Sequence, residues 1–296
     1  MSTVGDVGYE PWAERGSVVD GAFRWRLGVR PLDLDDWIEL GPDAEGPDGW
    51  IARTGELLDS HRSTVMHLMD DVDDECAEVA RAVVHHLRRR WPGRFGDVEV
   101  DPDVHPLEAA ARLVPEDLVL MVRRGGRLVF GGGVVCFPNR WDLASKLGRT
   151  MSEVHEPVAG LNDQLATEVD RFLDRLRPER SFWRLGWGII DVADGYTPLD
   201  GTGPARPTDP GPEDLHVRVE RETLRRFGAT GCVLFTIRTH LTPLTTVAAD
   251  RASRSALAGA IAAMGPEVRD YKGLGDAVTA ALASAGAEDP APASLV

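Results

Sequence analysis

The stretch CFPNRWDLASKLGRTMSEVHEPVAGLN, Cys136 to Asn162, gathers Pro138, Arg140, Trp141, Lys146, Gly148, His155, Pro157 and Gly160. A cation, an aromatic ring, an imidazole and turn-forming residues this close together can build a ligand site. His155 follows an expected helix end at Lys146–Gly148 and precedes Pro157. Proline removes a backbone donor and disfavours helix at the residue before it, so Glu156 is expected to be extended. An imidazole on such a stiff backbone suits a ligand or a catalytic base. A histidine satisfied by backbone contacts is the simpler alternative. A second cluster holds Arg218, Arg221, Arg225, Arg226, Arg238 and His240. Arg238 sits inside the apolar run VLFTIRTHL and needs an anionic partner, either a protein acid or a ligand carboxylate. Arg225–Arg226 reads as a solvated face.

Other chemistries find no support. His61 and His67 are six residues apart, and His85 and His86 are adjacent, so neither pair chelates a metal from one helix face. There is no H-E-x-x-H, G-x-S-x-G, P-loop or dinucleotide-binding motif. Cys136 ends an expected strand, where a thiolate could ligate iron. It lacks the glycine spacing of a thiolate-ligand loop, so a small core residue is the simpler reading. The other two cysteines, Cys76 and Cys232, form no C-x-x-C, and a reducing compartment is expected. The net charge of -15 argues against nucleic acid and anionic membrane surfaces as partners. It suits a neutral or basic small molecule, or a basic protein. With no signal-peptide pattern and no long apolar run, a cytoplasmic location is expected.

These residues need elements to position them. Residues 1–22 are polar and Gly-rich and read as a loose arm. IARTGELLDSHRSTVMHLM has helical spacing over 51–69. The acidic run 70–75 caps a second helix, with Cys76, Val79, Val83 and Leu87 on one stripe and Arg88–Arg90 at its C-terminal end. A short helix is expected over 107–114. DLVLMVRR and RLVFGGGVVCF, joined at Gly125–Gly126, form a hairpin. Gly131–Gly133 mark a bulge or a place where a ligand lies on the backbone. LNDQLATEVDRFLDRLRPE reads as a helix, SFWRLGWGIIDV as a strand, 197–216 as a loop and GCVLFTIRTHLTPL as a strand. HVRVERETLRRF fits strand or helix. The tail from 247 is helical, with a break at Gly265–Pro266. The order implies an α+β protein: a mostly antiparallel sheet of about five strands flanked by N- and C-terminal helices. Residues 23–285 form the single domain, and 286–296 a disordered tail.

The segments 137–162, VERETLRRF and LFTIRTHLTPL resemble the haem-dependent oxidative N-demethylase family, over about Phe23 to Ala263. The carrying motif is W-x-L-x-x-K-x-G, then H-x-P-V-x-G after six residues. The resemblance implies a PAS-like fold binding haem b, with His155 as axial iron ligand. It makes Lys146, Arg221 and Arg238 candidates for pairing with the propionates, and Trp141 and Phe137 for packing on the macrocycle. It implies oxidation of an amine with O2, by N-demethylation or N-oxygenation. Electrons would come from a separate reductase or ferredoxin fed by NAD(P)H. His240 and Glu222 are the candidate catalytic groups. The family usually has proline where this chain has Ala159, and an aromatic residue where it has His240. A non-catalytic haem sensor or carrier is the alternative reading, since a fold of this kind does not dictate turnover.

Overall fold

The computed structural model describes residues 8–14 and 18–287. Its centre is a seven-stranded sheet made from β3 (Arg30–Leu32), β4 (Met66–Leu68), β5 (Asp117–Arg124), β6 (Arg127–Val134), β7 (Ser181–Ile190), β8 (His216–Arg226) and β9 (Val233–Pro243). β1 (Val18–Val19) and β2 (Ala22–Phe23) form a separate small hairpin. The strand order in the large sheet is β3-β7-β8-β9-β5-β6-β4, and every neighbouring pair is antiparallel. Five strands carry the topology. The hairpin β5–β6 comes first, helices follow, and the meander β7–β8–β9 returns to pair its last strand with β5. Short β3 and β4 cap the two edges. They account for the difference from the five strands expected.

β8 resolves the ambiguous HVRVERETLRR as a strand because β7 and β9 both pair with it. Its side chains alternate between the two faces of the sheet. One face packs on helices Trp50–Ser60, Asp73–Arg90 and Pro106–Ala111 through Leu118, Leu120, Val122 and Leu234. The other faces helix Leu161–Arg175, whose Val169, Phe172 and Leu173 pack in one cluster with Val119, Met121, Phe130 and Val233. Burying each such apolar side chain contributes about 1.5–3 kcal/mol. At the β8–β9 end, helices Leu244–Ala249, Arg251–Ala262 and Asp276–Ala287 pack on Val217 and Val219.

The helix expected over 51–69 stops at Ser60, makes one further turn over Arg62–Val65, and becomes β4. Pairing overrides the helical spacing, because β4 covers the outer edge of β6 at Met66–Val134 and Leu68–Gly132. Within the N-terminal stretch 1–22, Val18–Val19 of β1 are exposed, and the packing is by residues before them. Trp12 is buried and stacks edge-on against Trp187, and Tyr9 packs on His240. The expected C-terminal tail falls largely on 288–296, outside the described residues, while the last helix runs to Ala287.

Gly131–Gly133 serve the sheet itself. The β5–β6 register shifts between Leu120 and Met121, leaving Gly131 as the extra residue of a bulge. Gly132 has φ 121, and a Cβ there would lie 2.2 Å from the His67 carbonyl oxygen of β4. A Cβ on Gly133 would lie 2.3 Å from the Leu118 carbonyl oxygen of β5. Neighbouring strand backbone fills the space at Gly132 and Gly133, and the Val122 side chain fills it at Gly131. Gly132→Ala combines left-handed strain with a backbone clash. It is expected to cost about 2–4 kcal/mol, read as a lowered urea midpoint.

Candidate functional site

A cavity of about 390 Å³ lies between the sheet and helix Leu161–Arg175. That is within the roughly 300–1,000 Å³ of small-molecule sites. Its floor comes from alternate residues of the sheet: Val119 and Met121 of β5, Phe130 of β6, Glu220 and Glu222 of β8, and Phe235 and Ile237 of β9. Met151, Val154, His155, Val158, Val169 and Phe172 close the other side. Trp25, Trp187 and Lys272 also line it.

His155 owes its position to a one-turn helix, Met151–Val154. A capping box holds that turn: the Thr150 side chain accepts from the Glu153 backbone, and Glu153 accepts from the Thr150 backbone. His155 then caps the turn, its N–H donating to the Met151 carbonyl at 2.9 Å. The chain does not run extended through Glu156 as expected. It folds into a turn in which Val158 N–H donates to the His155 carbonyl at 2.9 Å. Trp25 fastens the turn from outside by donating its indole N–H to the Ala159 carbonyl at 2.8 Å. The bond uses a main-chain oxygen, so it does not depend on the Ala159 side chain.

The imidazole of His155 faces the cavity and makes no hydrogen bond or ion pair among the described residues. Burial, helped by the positive charges of Arg184 and Lys146, pulls its pKa down to about 4. At neutral pH it is therefore an uncharged ring with an available nitrogen lone pair. Among the described residues no three His, Cys, Asp or Glu side chains are grouped to hold a metal ion. His155 stands as a single donor.

Glu222 is buried in the β8 wall, and burial pushes its carboxyl up to about 7. Arg184 opposes the shift and Glu220 adds to it. Glu222 Oε2 lies 3.3 Å from Arg184 Nε. Gly186 on β7 leaves room for this carboxylate, since a Cβ there would lie 2.9 Å from Glu222 Oε1. Lys272, at the end of helix Pro266–Tyr271, donates to the Trp187 carbonyl at 2.6 Å, and its ammonium lies over the Trp25 and Trp187 rings.

Of the residues singled out from the sequence, His155, Trp141, Glu222, Arg140 and Arg218 line this cavity. Trp141 meets Phe130 edge-on, with centroids 6.2 Å apart. Lys146 lies behind the His155 turn, its Nζ 3.4 Å from the Val154 carbonyl, and does not line the cavity. Phe137, Arg221, Arg238 and His240 do not line it either. Phe137 is core, edge-on to Trp50 at 4.5 Å.

Arg221 and Arg238 are paired across β8 and β9, so both side chains point away from the Glu222 face. Their anionic partners are protein acids: Arg238 bonds Asp43 at 2.6 Å, and Arg221 lies 3.6 Å from Glu39. His240 is on that reverse face too, 3.5 Å from Glu39 and edge-on to Tyr9. Burial tends to push the Glu39 carboxyl up, but His240, Arg221 and Arg238 outweigh it and hold the pKa below the usual range.

Sequence reasoning missed Arg184, Glu220, Trp25, Trp187 and Lys272. Arg184 carried the same signal as Arg238, a cation in an apolar strand. Lys272 lies beyond every motif and carried none.

Because the folded pKa of His155 lies below the unfolded value of about 6.5, the unfolded state binds the extra proton. Its contribution to stability is present above that pH and is lost as pH falls towards 4. His155→Ala is expected to flatten this limb relative to wild type, in urea midpoints measured between pH 7 and pH 4.

Residues 28–282 match the family model described as haem-dependent oxidative N-demethylase, alpha subunit-like. The match spans the His155 turn, all seven strands of the large sheet and the cavity lining other than Trp25 and Leu27. The chain therefore belongs to the haem-dependent oxidative N-demethylase alpha subunit-like family.

Proposed function

We propose that this chain is the haem-bearing subunit of an oxygenase that oxidises an amine. Haem b would occupy the cavity, with His155 as the residue that would hold its iron. The observation that carries the reading is the imidazole itself: neutral, free of hydrogen bonds and facing an apolar chamber inside the family-matched segment. The rest of the lining fits the group. Phe130, Trp141, Val119 and Phe172 offer apolar and aromatic surface, and Arg184 and Lys272 offer cations. The topology supports a PAS-like reading, because a hairpin, intervening helices and a three-strand meander returning to the hairpin give the order β6-β5-β9-β8-β7.

Haem, when bound, supplies O2 activation with electrons from a separate donor, for which a reductase or ferredoxin is the proposed source. The protein supplies the surroundings. The His155 turn fixes the imidazole through its capping box and the Trp25 bond, so little reorientation accompanies ligation. The apolar wall of β5, β9 and helix Leu161–Arg175 excludes water.

Glu222, with its pKa near 7, exchanges a proton close to neutrality. An amine arrives mostly as an ammonium ion and must lose that proton before oxidation. Glu222 in its ionised form accepts it, which assigns the carboxylate the role of general base. The product would be a shorter amine and an aldehyde, or an N-oxygenated amine.

Wild-type protein supplied with haem is expected to show a Soret band that is lost or shifted in His155→Ala. It is also expected to consume reductant and O2 only when an amine is present. A missing Soret band removes the haem reading. A gas-responsive spectrum without amine-dependent turnover transfers the protein to the sensor or carrier class. Turnover in the wild type should rise as pH passes through about 7, where Glu222 ionises. Glu222→Gln should lose that limb and about 10²-fold in rate while keeping the Soret band. A Gln variant with the wild-type pH profile places the base elsewhere.

A further inference from the structure

The cations of the cavity wall do not all have protein counterions. Arg140 is bonded to Asp191 at 2.5 Å, and Arg218 to Glu220 at 2.7 Å. Arg184 and Lys272 are left with Glu220, already bonded to Arg218, and with Glu222, which holds its proton until about pH 7. Their donors are also underused. Arg184 Nε is buried and makes no hydrogen bond, although Glu222 Oε2 lies 3.3 Å away. The Lys272 ammonium carries three donors, and among the described residues its one hydrogen bond is to the Trp187 carbonyl. Two cations in electrostatic reach of one another in a cavity wall repel. Burial, followed by Arg184, pulls the Lys272 pKa down to about 8. An arrangement of this kind becomes favourable when an anion with several acceptor oxygens joins it.

The backbone that carries Lys272 is fixed. Ile189 N–H of β7 donates to the Lys272 carbonyl at 2.9 Å. Gly273 follows with φ 71, and a Cβ there would lie 2.3 Å from the Ile189 carbonyl oxygen. Only glycine lets this strap lie so close to β7. The ammonium is therefore presented to the cavity from a stitched backbone, on a shelf of two indole rings.

We infer that Arg184 and Lys272 form the carboxylate-binding end of the cavity and position its occupant by the anionic groups on that occupant's edge. This deepens the haem reading and rests on it. The anionic groups are then the two propionates, and the anchors differ from Lys146, Arg221 and Arg238. Arg184, Lys272 and His155 line the same cavity, so the anionic end and the ligating nitrogen belong to one chamber.

The test compares haem with haem dimethyl ester, in which both propionates are capped. Each is titrated into wild-type apoprotein, Arg184→Gln, Lys272→Met and the double variant, with the Soret band as readout. Wild type is expected to bind haem at least about tenfold more tightly than the ester, since charged hydrogen bonds are lost with the ester. Each single variant should lose most of that preference, and the double variant all of it, while the His155-dependent band position stays as in wild type. Equal affinity of wild type for the two porphyrins overturns the inference and leaves the haem reading standing. That comparison needs no variant to fold. Retention of the full preference in the double variant overturns it as well. Failure of wild type to bind either porphyrin removes the haem reading, and the inference with it.

Discussion

Strand β8 is hydrogen-bonded on both sides, to β7 from Phe182–Leu224 through Ile190–His216 and to β9 from His216–Pro243 through Arg226–Val233. A strand held this way cannot slip by one residue without sending every side chain to the wrong face. The rest of the site depends on that constraint. Arg218, Glu220 and Glu222 look into the cavity, and Arg221 looks away from it, because they alternate along one fixed strand. The same parity on β9 sends Phe235 and Ile237 inward, and Arg238 and His240 outward.

Each face then meets the cost of buried charge in its own way. Behind the sheet, protein acids answer the arginines: Asp43 bonds Arg238, and Glu39 lies beside both Arg221 and His240. That layer is largely self-sufficient and links the sheet to the segment before helix Trp50–Ser60. In front, low polarity keeps groups neutral. His155 is driven towards its unprotonated form and Glu222 towards its protonated form by the same desolvation. The charges that remain in front, on Arg184 and Lys272, are those without a full complement of protein partners.

Much of the framework was legible because it depends on local rules. The helix Asp73–Arg90 has its acidic first turn, its stripe of Cys76, Val79, Val83 and Leu87, and its basic last turn, as its residues imply. The β5–β6 hairpin and helix Leu161–Arg175 follow equally from turn residues and spacing. The break at Ser60 was not legible. Residues 51–69 carry one helical pattern, and only the open edge of β6 converts Met66–Leu68 into a strand. Gly131–Gly133 were legible as unusual, but the reason, two strand backbones pressing on them, lies in pairing across long sequence distances.

The sequence by itself determined the α+β class, most of the elements, the family resemblance and the standing of His155 and Glu222 as candidates. These depend on composition, periodicity and motifs read within a few dozen residues. Only the tertiary structure decided which polar residues share a chamber. Arg221, Arg238 and His240 have the same chemistry wherever they point, and parity in a paired strand turned them from the cavity to Glu39 and Asp43. Lys272 has no motif to announce it. It reaches the cavity because the turn after helix Pro266–Tyr271 is stitched to β7, a contact between residues more than eighty positions apart.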